Sequence, residues 1–260
     1  MKAWKFITVF SLCFLFFGCY EVNEAITINE NGSGRFMTKM DLGQMIEMMQ
    51  SFGGDEMNQE GLDRVVDTVI SMSSFADSAK EITEEQKELM RNGKMHLVMN
   101  IKEKIFKIDT DFPFNNYSQL QSLLAGNAGG MQALTNAMKK VFDKGAAQQD
   151  NNQPDTPKDP DLDQLGNIFD VVAQNGTISK ILNKARYESL MAKPEMEQMK
   201  QVTGAGIEIL YSTTLQLPRP VTSIDNPLMK LSDDKKTVTI KYNYLEMFET
   251  PEKFSYTIKY

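Results

Sequence analysis

Histidine chemistry in this 260-residue chain is limited to a single residue, because His96 is the only histidine. A Ser-His-Asp or Cys-His constellation and a histidine-based zinc site both need further partners, and the chain has only two cysteines, Cys13 and Cys19. His96 alternates with Met95 and Leu97, which predicts a partly buried histidine or one on a sheet face. We therefore do not expect His96 to act as a catalytic base.

Other catalytic motifs are also absent from the sequence. It contains no G-x-S-x-G elbow, no Walker A loop and no dinucleotide-binding fingerprint. Acidic residues are plentiful, so carboxylate-only hydrolysis of the glycosidase kind stays open, but no spacing singles out a pair. The sequence predicts a protein that is not an enzyme and has neither catalytic residues nor a cofactor.

One acidic segment has the spacing of a calcium-binding loop. Position 6 of that loop is Gln164 where glycine is usual, and its final ligand is an aspartate where glutamate gives bidentate reach. The alternative is a solvated acidic linker whose last carboxylates favour the positive end of the following helix. The candidate ligands, at loop positions 1, 3, 5, 9 and 12, are Asp159, Asp161, Asp163, Asn167 and Asp170.

Methionine is frequent, with 18 residues in the chain. Flexible thioethers suit adaptable apolar grooves and soft metals. Met45, Met49, Met95 and Met99 nevertheless lie on apolar stripes, so the main prediction for them is core packing. The alternative is a groove for an apolar lipid or peptide between helices and sheet.

The segment Met1–Cys19 has the composition of a secretory leader. Lys2 and Lys5 make its start basic, Phe6–Phe17 is apolar, and a glycine precedes Cys19. The apolar run is shorter than the ~20 residues that span a bilayer, and this order of features is typical of a signal peptide. Residues 1–18 are therefore predicted to be removed, which leaves no internal disulfide.

Loss of the leader also changes the charge of the chain. Without Lys2 and Lys5 the formal net charge of −7 becomes about −9. Such a chain repels phosphate backbones and gains no electrostatic attraction to an anionic membrane. Nucleic acid is therefore not an expected partner, and any attachment to a membrane must come from another source.

The sequence Leu15-Phe16-Phe17-Gly18-Cys19 resembles the lipobox of bacterial lipoproteins with a type II signal peptide. The usual box has leucine where Phe16 stands and a small residue where Phe17 stands, and looser boxes of this kind are familiar in the Bacteroidetes. The resemblance implies a diacylglyceryl group on the sulfur of Cys19, cleavage before Cys19 and an acylated N-terminus. The alternatives are an ordinary cleaved signal and an uncleaved short anchor with an incidental cysteine.

Acylation of Cys19 would determine where the protein resides. Two or more acyl chains hold a protein stably at a membrane, whereas one holds it marginally. We therefore predict a cell-envelope protein anchored by lipid, in the outer membrane. Glu21 and Glu24 resemble the acidic surface-export signals of some Bacteroidetes lipoproteins; the alternative for them is a solvated strand edge.

Alternating apolar residues predict two hairpins and several later strands. In the first hairpin, Ala25–Asn29 and Arg35–Asp41 flank an Asn-Gly-Ser-Gly turn, and in the second the strands are Met95–Ile101 and Phe106–Phe112. Further strands are predicted over Thr177–Leu182, Ile207–Leu217, Val221–Asp225, Thr237–Tyr242 and Phe254–Tyr260.

Apolar residues at helical spacing predict a helical layer. Thr83 begins one helix with a capping box, and Gly93 stops it. The other predicted helices are Asp41–Phe52, Leu62–Ile70, Leu120–Phe142 with an interruption at Gly129-Gly130, Leu162–Val172, a helix ending at Met191, a helix begun by Pro194, and a turn at Leu245–Phe248.

Residues 145–161 are rich in proline, amides and acids, which predicts a flexible linker. The segment before the linker lacks closing strands, and an amphipathic helix is predicted after it. We therefore predict one domain over 19–260 rather than two.

Hairpins separated by helices predict an α+β fold, with an antiparallel sheet built from hairpins and a helical layer on one face. The arrangement resembles uncharacterised envelope lipoproteins in which NGSG- and DDKK-type turns bracket strand pairs. The expected function is non-catalytic binding or assembly at the membrane, with an envelope protein as partner. The alternatives are a carrier of an apolar ligand in a Met-lined groove and a carboxylate-based hydrolase.

Overall fold

The computed structural model describes residues 19–44, 46, 65–73, 76, 83–126, 167–194, 196 and 208–260. Strands and helices in this part of the chain form a mixed α+β fold, which confirms the predicted class. The strands are β1 (Cys19–Ile28), β2 (Gly34–Asp41), β3 (Val65–Ser71), β4 (Lys94–Asn100), β5 (Ile105–Phe114), β6 (Phe169–Gln174), β7 (Thr177–Leu182), β8 (Glu208–Gln216), β9 (Ser223–Ile224), β10 (Lys230–Leu231), β11 (Thr237–Asn243) and β12 (Tyr256–Lys259). The helices are α1 (Glu84–Arg91), α2 (Tyr117–Leu124) and α3 (Lys184–Met191), with 3-10 helices at Tyr244–Phe248 and Pro251–Phe254.

The larger sheet has eight strands in the order β10-β11-β8-β1-β2-β5-β4-β3. The predicted hairpins supply β1 with β2 and β4 with β5, and β2 joins them by pairing with β5. All neighbours are antiparallel except β1 and β8, which run parallel from Cys19 opposite Glu208 to Thr27 opposite Gln216. Strand β1 therefore connects the N-terminal hairpins to the C-terminal strands.

A tight turn sets the register of the first hairpin. Gly32 has a φ of 82°, which glycine adopts without steric cost. The carboxamide oxygen of Asn31 accepts hydrogen bonds from the Ser33 backbone N–H at 3.1 Å and the Ser33 hydroxyl at 2.7 Å. This turn places Ile26 and Ile28 on the same face of the sheet as Phe36.

A second sheet, in the order β6-β7-β12-β9, packs on one face of the larger sheet. Ala173, Ile178 and Ile258 of this sheet share a core with residues such as Ile26 and Leu215. Helices α1 and α2 contribute apolar side chains to the same core, so the helical layer and the second sheet cover one face together. A smaller apolar cluster contains Ile168, Phe169, Leu190, Met196, Leu245, Met247, Phe248 and Phe254.

Two predicted helices are wrong. Val65–Ile70 belongs to β3, an edge strand paired with β4, and Phe169–Val172 belongs to β6, which pairs with β7 around Gly176. Apolar side chains lie on both faces of β3, and Val65 and Val69 are 70% and 64% exposed. Because apolar residues occur on both faces of this strand, some of them also fall at helical spacing. The β-branched residues in the segment nevertheless favour a strand.

The remaining predicted elements are confirmed where the structure describes them. The capping box of α1 is formed, with the Gln86 backbone N–H donating to Thr83 Oγ1 at 3.2 Å and the Thr83 backbone N–H donating to Gln86 Oε1 at 2.8 Å. The later strands and the helical turn after Asn243 also lie where the sequence predicts them, with two differences: only Ser223–Ile224 of the predicted Val221–Asp225 strand is formed, and Phe254 ends a 3-10 helix that precedes β12. The predictions outside the described residues are the linker 145–161 and the helices at Asp41–Phe52 beyond Ile46, at Leu62–Arg64, at Leu120–Phe142 beyond Gly126 and after Met196.

Replacement of Gly34 by alanine tests the close packing of the first hairpin. A Cβ atom there would lie 1.9 Å from the carbonyl oxygen of Thr27 and 2.4 Å from the Phe114 ring. Because backbone and ring must both move, we expect Gly34→Ala to lower the free energy of unfolding in urea by about 1–3 kcal/mol or more. The exposed Glu30→Ala is the matched control, and equal stability of the two variants would contradict this packing.

Candidate functional site

The structure places His96 on the open face of the larger sheet. Its Nε2 atom lies 2.7 Å from Asp67 Oδ1 of the neighbouring β3, and Asp109 of β5 lies opposite His96 in the register. His96 therefore lies on a sheet face, as one of its sequence interpretations expected. No group of three or more potential metal ligands occurs in the described residues.

The calcium hypothesis is only partly within the described residues. Asp159, Asp161 and Asp163 lie outside them, Asn167 is in a turn, and Asp170 is in β6. The Asp170 carboxylate accepts hydrogen bonds from Arg186 and, at 3.2 Å, from Asn183 Nδ2. These partners already engage the carboxylate proposed for the last position of the loop.

Two further candidates from the sequence have distinct locations. Met95 and Met99 are 1% and 5% exposed and belong to the main core, while Met45 and Met49 lie outside the described residues. Cys19 is the first residue of β1. None of the described helices combines the length and apolar character that crossing a membrane requires.

The sequence did not predict the most unusual polar group, which is centred on Glu24. Alternation along β1 puts Glu24 on the same face as Ile26 and Ile28, so its side chain points between the two sheets rather than to a solvated strand edge. Thr213 of β8 and Thr38 of β2 lie opposite Glu24 in the register. Glu24 is therefore a carboxyl group in a mainly apolar layer.

Two hydroxyl groups of β8 donate hydrogen bonds to the Glu24 carboxylate. The Tyr211 hydroxyl donates to Oε1, and the Thr213 hydroxyl donates to Oε2 at 3.0 Å. Both oxygens of the carboxylate therefore have a donor from the neighbouring parallel strand. This arrangement orients the carboxylate and offsets part of the cost of burying it.

Lys180 of the second sheet approaches the same space from the opposite side. It lies on β7 on the same face as Ile178, with Tyr256 of β12 opposite it in the register. Its ammonium nitrogen is 4.6 Å from the centroid of the Phe169 ring, a cation–π distance. Among the described residues, no hydrogen bond or ion pair involves this ammonium group.

Aromatic rings form the wall beside these two charged groups. Tyr211 stacks on Tyr242 and Tyr244 with ring centroids 5.2 and 5.6 Å apart. Tyr242 also makes an edge-on contact with Phe254 at 4.5 Å. We call Glu24, Lys180, Thr213, Tyr211, Tyr242 and Tyr256 the inter-sheet cluster.

Burial shifts the titration of the cluster towards neutral forms. It raises the pKa of Glu24, and the hydrogen bond from Tyr211 and the charge of Lys180 only partly oppose this rise. Burial lowers the pKa of Lys180, with Glu24 opposing that change. Burial, followed by the charge of Glu24, raises the pKa of Tyr211, Tyr242 and Tyr256.

These properties limit the chemistry that the cluster can perform. Its polar groups can hold an acidic or hydrogen-bonding group against aromatic surface, and perturbed titration is a common feature of functional sites. Glu24 is the only carboxylate among the members of the cluster, whereas glycosidase chemistry uses two.

The cluster has a signal in the sequence that the predictions above did not use. Glu24 interrupts the alternation leading to Ile26 and Ile28, and Lys180 follows Ile178 by two residues. Thr213 likewise shares a strand face with Leu215. A polar residue at the core-facing position of several predicted strands indicates a shared buried site, although the sequence does not show which strands meet.

Comparison with other proteins adds no family assignment. No protein-family model matches the chain, and no curated protein or solved structure gives a significant match.

The raised pKa of Glu24 predicts a specific pH dependence of stability. Above pH 4.5, the ordinary pKa of glutamate, Glu24 loses its proton in the unfolded chain but keeps it in the folded chain. The free energy of unfolding therefore falls as the pH rises, until Glu24 of the folded chain also ionises. Relative to Glu24→Gln, the wild-type protein should therefore become less stable as the pH rises from 4.5 through the raised pKa. Urea unfolding of both proteins at several pH values measures this difference.

Repeating that comparison in a Lys180→Met background removes the second titrating group of the pair. The pH-dependent difference should persist there because burial, and not Lys180, is the main cause of the shift. If the Glu24→Gln variant and its parent gave parallel stability profiles in both backgrounds, the raised pKa would not belong to Glu24.

Proposed function

We propose that this protein is a lipid-anchored component of the cell envelope, in the outer membrane, with a non-catalytic role in binding or assembly. The observation that carries the proposal is the position of Cys19 at the start of β1, directly after a leader that resembles a lipoprotein signal. Cys19 pairs with Glu208 of β8, so acyl chains on its sulfur would join the larger sheet directly to the membrane.

Exposed apolar residues on one face of the larger sheet support a binding role. Val65, Val69 and Leu210 project from this face and are 70%, 64% and 44% exposed. They are separated by polar pairs such as Arg35 with Asp111, whose side chains meet at 2.6 Å. These exposed apolar side chains are the part of the face that a partner could cover.

Acylation is tested by labelling cells with a palmitate analogue. The wild-type protein and Cys13→Ala should carry the label, because only Cys19 is the predicted acylation site, while Cys19→Ala should lose it. Globomycin should cause the precursor with residues 1–18 to accumulate. A Cys19→Ala protein that still labels, or processing that ignores globomycin, would contradict the proposed anchor.

A carrier of an amphipathic ligand is the second candidate function. The specific observation in its favour is the position of Lys180, whose ammonium group lies over the Phe169 ring and close enough to Glu24 for the two charges to interact. A ligand with an acidic head and an apolar body would give that amine a partner and cover the aromatic rings. This candidate site differs from the Met-lined groove, because Met95 and Met99 are packed in the core.

Native mass spectrometry of protein purified from its own membranes tests this candidate. The wild-type protein should carry an additional acidic, lipid-like mass, and Lys180→Met should lose it because the amine is removed. Lys259→Met, which removes an exposed lysine of β12, should retain it. Absence of the mass from wild type, or its retention in Lys180→Met, would eliminate the carrier function.

A further inference from the structure

We propose that one end of the larger sheet, the end at which β1 begins, rests directly on the surface of the lipid bilayer. The inference rests on the proposed acylation of Cys19. It adds an orientation: the strands stand upright on the membrane, and among the described turns the one at Ile101–Lys104 faces the lipid. We call this end of the molecule the Cys19 end and the opposite end the distal end.

The pairing of the strands determines which segments lie at the Cys19 end. Strand β8 begins there because Cys19 pairs with Glu208 in the parallel register. The antiparallel β2 ends there at Asp41, and the turn between β4 and β5 at Ile101–Lys104 follows from the next two pairings. The end of β11 at Asn243 and the start of β3 at Val65 lie at the same end.

The second sheet has the same orientation. The 3-10 helix Tyr244–Phe248 follows Asn243 directly, and the hydroxyl of Tyr187 in α3 donates to the Phe248 carbonyl at 2.9 Å. At the distal end, the hydroxyl of Tyr260 donates to the hydroxyl of Tyr117 at 3.2 Å. Helix α3 and the first 3-10 helix therefore flank the Cys19 end, and the C-terminal residue lies far from it.

The absence of a spacer at Cys19 creates the proposed contact. Cys19 is itself in β1 and its backbone is in register with β8, so no flexible segment separates the acylated residue from the sheet. Strand β1 has ten residues and so extends about 30 Å at ~3.3 Å per residue. The distal turns are thereby held about 30 Å further from the membrane than the Cys19 end.

The charges at the Cys19 end are compatible with a lipid surface. Two ion pairs lie at this end: Lys107 is 3.7 Å from Asp41, and Lys253 is 3.0 Å from Glu246. Such pairs neither attract an anionic membrane strongly nor repel it. The acyl chains, and not surface charge, must therefore maintain the contact.

Single cysteine labels can measure this orientation, because the mature chain has no cysteine other than Cys19. Glu103→Cys and Asp233→Cys form a matched pair: each replaces an exposed acidic residue in a turn, one at the Cys19 end and one at the distal end. The full acylated protein carries a fluorophore at one position and is reconstituted in phosphatidylcholine vesicles that contain a lipid with a nitroxide headgroup.

The label at Glu103→Cys should be quenched several-fold more than the label at Asp233→Cys. Equal quenching, or stronger quenching at the distal label, would overturn the proposed orientation. Mass spectrometry of the N-terminal peptide and co-flotation with the vesicles check acylation in the same samples. A protein that is neither acylated nor bound would refute the proposed anchor itself and the orientation with it.

A second variant tests the role of the missing spacer. A ten-residue Gly-Ser segment inserted between Cys19 and Tyr20 has a root-mean-square length of roughly 17 Å and would let the body move away. Acylation and flotation should persist while quenching at Glu103→Cys falls towards the distal value. Unchanged quenching would mean that surface attraction holds this end at the bilayer, which would contradict the role assigned here to the missing spacer.

Discussion

The parallel pairing between β1 and β8 is the interaction on which the rest of the fold depends. It joins strands that are distant in sequence, because Ile26 lies opposite Leu215. Without it, the two N-terminal hairpins and the C-terminal strands would form separate small sheets, each with an unpaired edge. Closing so long a loop costs conformational entropy before any contact compensates for it, so this pairing should form late in folding.

The inter-sheet cluster lies at this same junction. Glu24 belongs to β1 and its two hydrogen-bond donors belong to β8, so the carboxylate is satisfied only when those strands are paired. An unsatisfied carboxyl group between sheets would be costly, and slippage by one residue would turn Glu24 to the opposite face. The cluster therefore specifies the register of the pairing, while apolar neighbours such as Ile26 supply most of the burial energy.

The sequence predicts local structure better than it predicts long-range pairing. The turn at Asn31-Gly32 and the capping box of Thr83 involve neighbouring residues, and both are present. By contrast, the apolar residues of Val65–Ile70 fit both a helical and a strand periodicity. The strand that pairs with this segment, β4, comes after α1 in the chain, so the local pattern alone favours the wrong element. The inter-sheet cluster is harder still to predict, because Glu24 and Lys180 meet only through two sheets stacked on each other. The same limit applies to the parallel strand pair, which no local residue pattern specifies.

The anchor and the open sheet face have a joint consequence for assembly. In the proposed orientation the strands would stand along the membrane normal, so the face that carries Val69 and Leu210 would stand perpendicular to the bilayer. A partner held in the same membrane would meet this face from the side, and lateral diffusion in two dimensions would favour the encounter. In the proposed orientation, the exposed residues Val65 and Val69 on this face are accessible to a partner anchored in the same membrane.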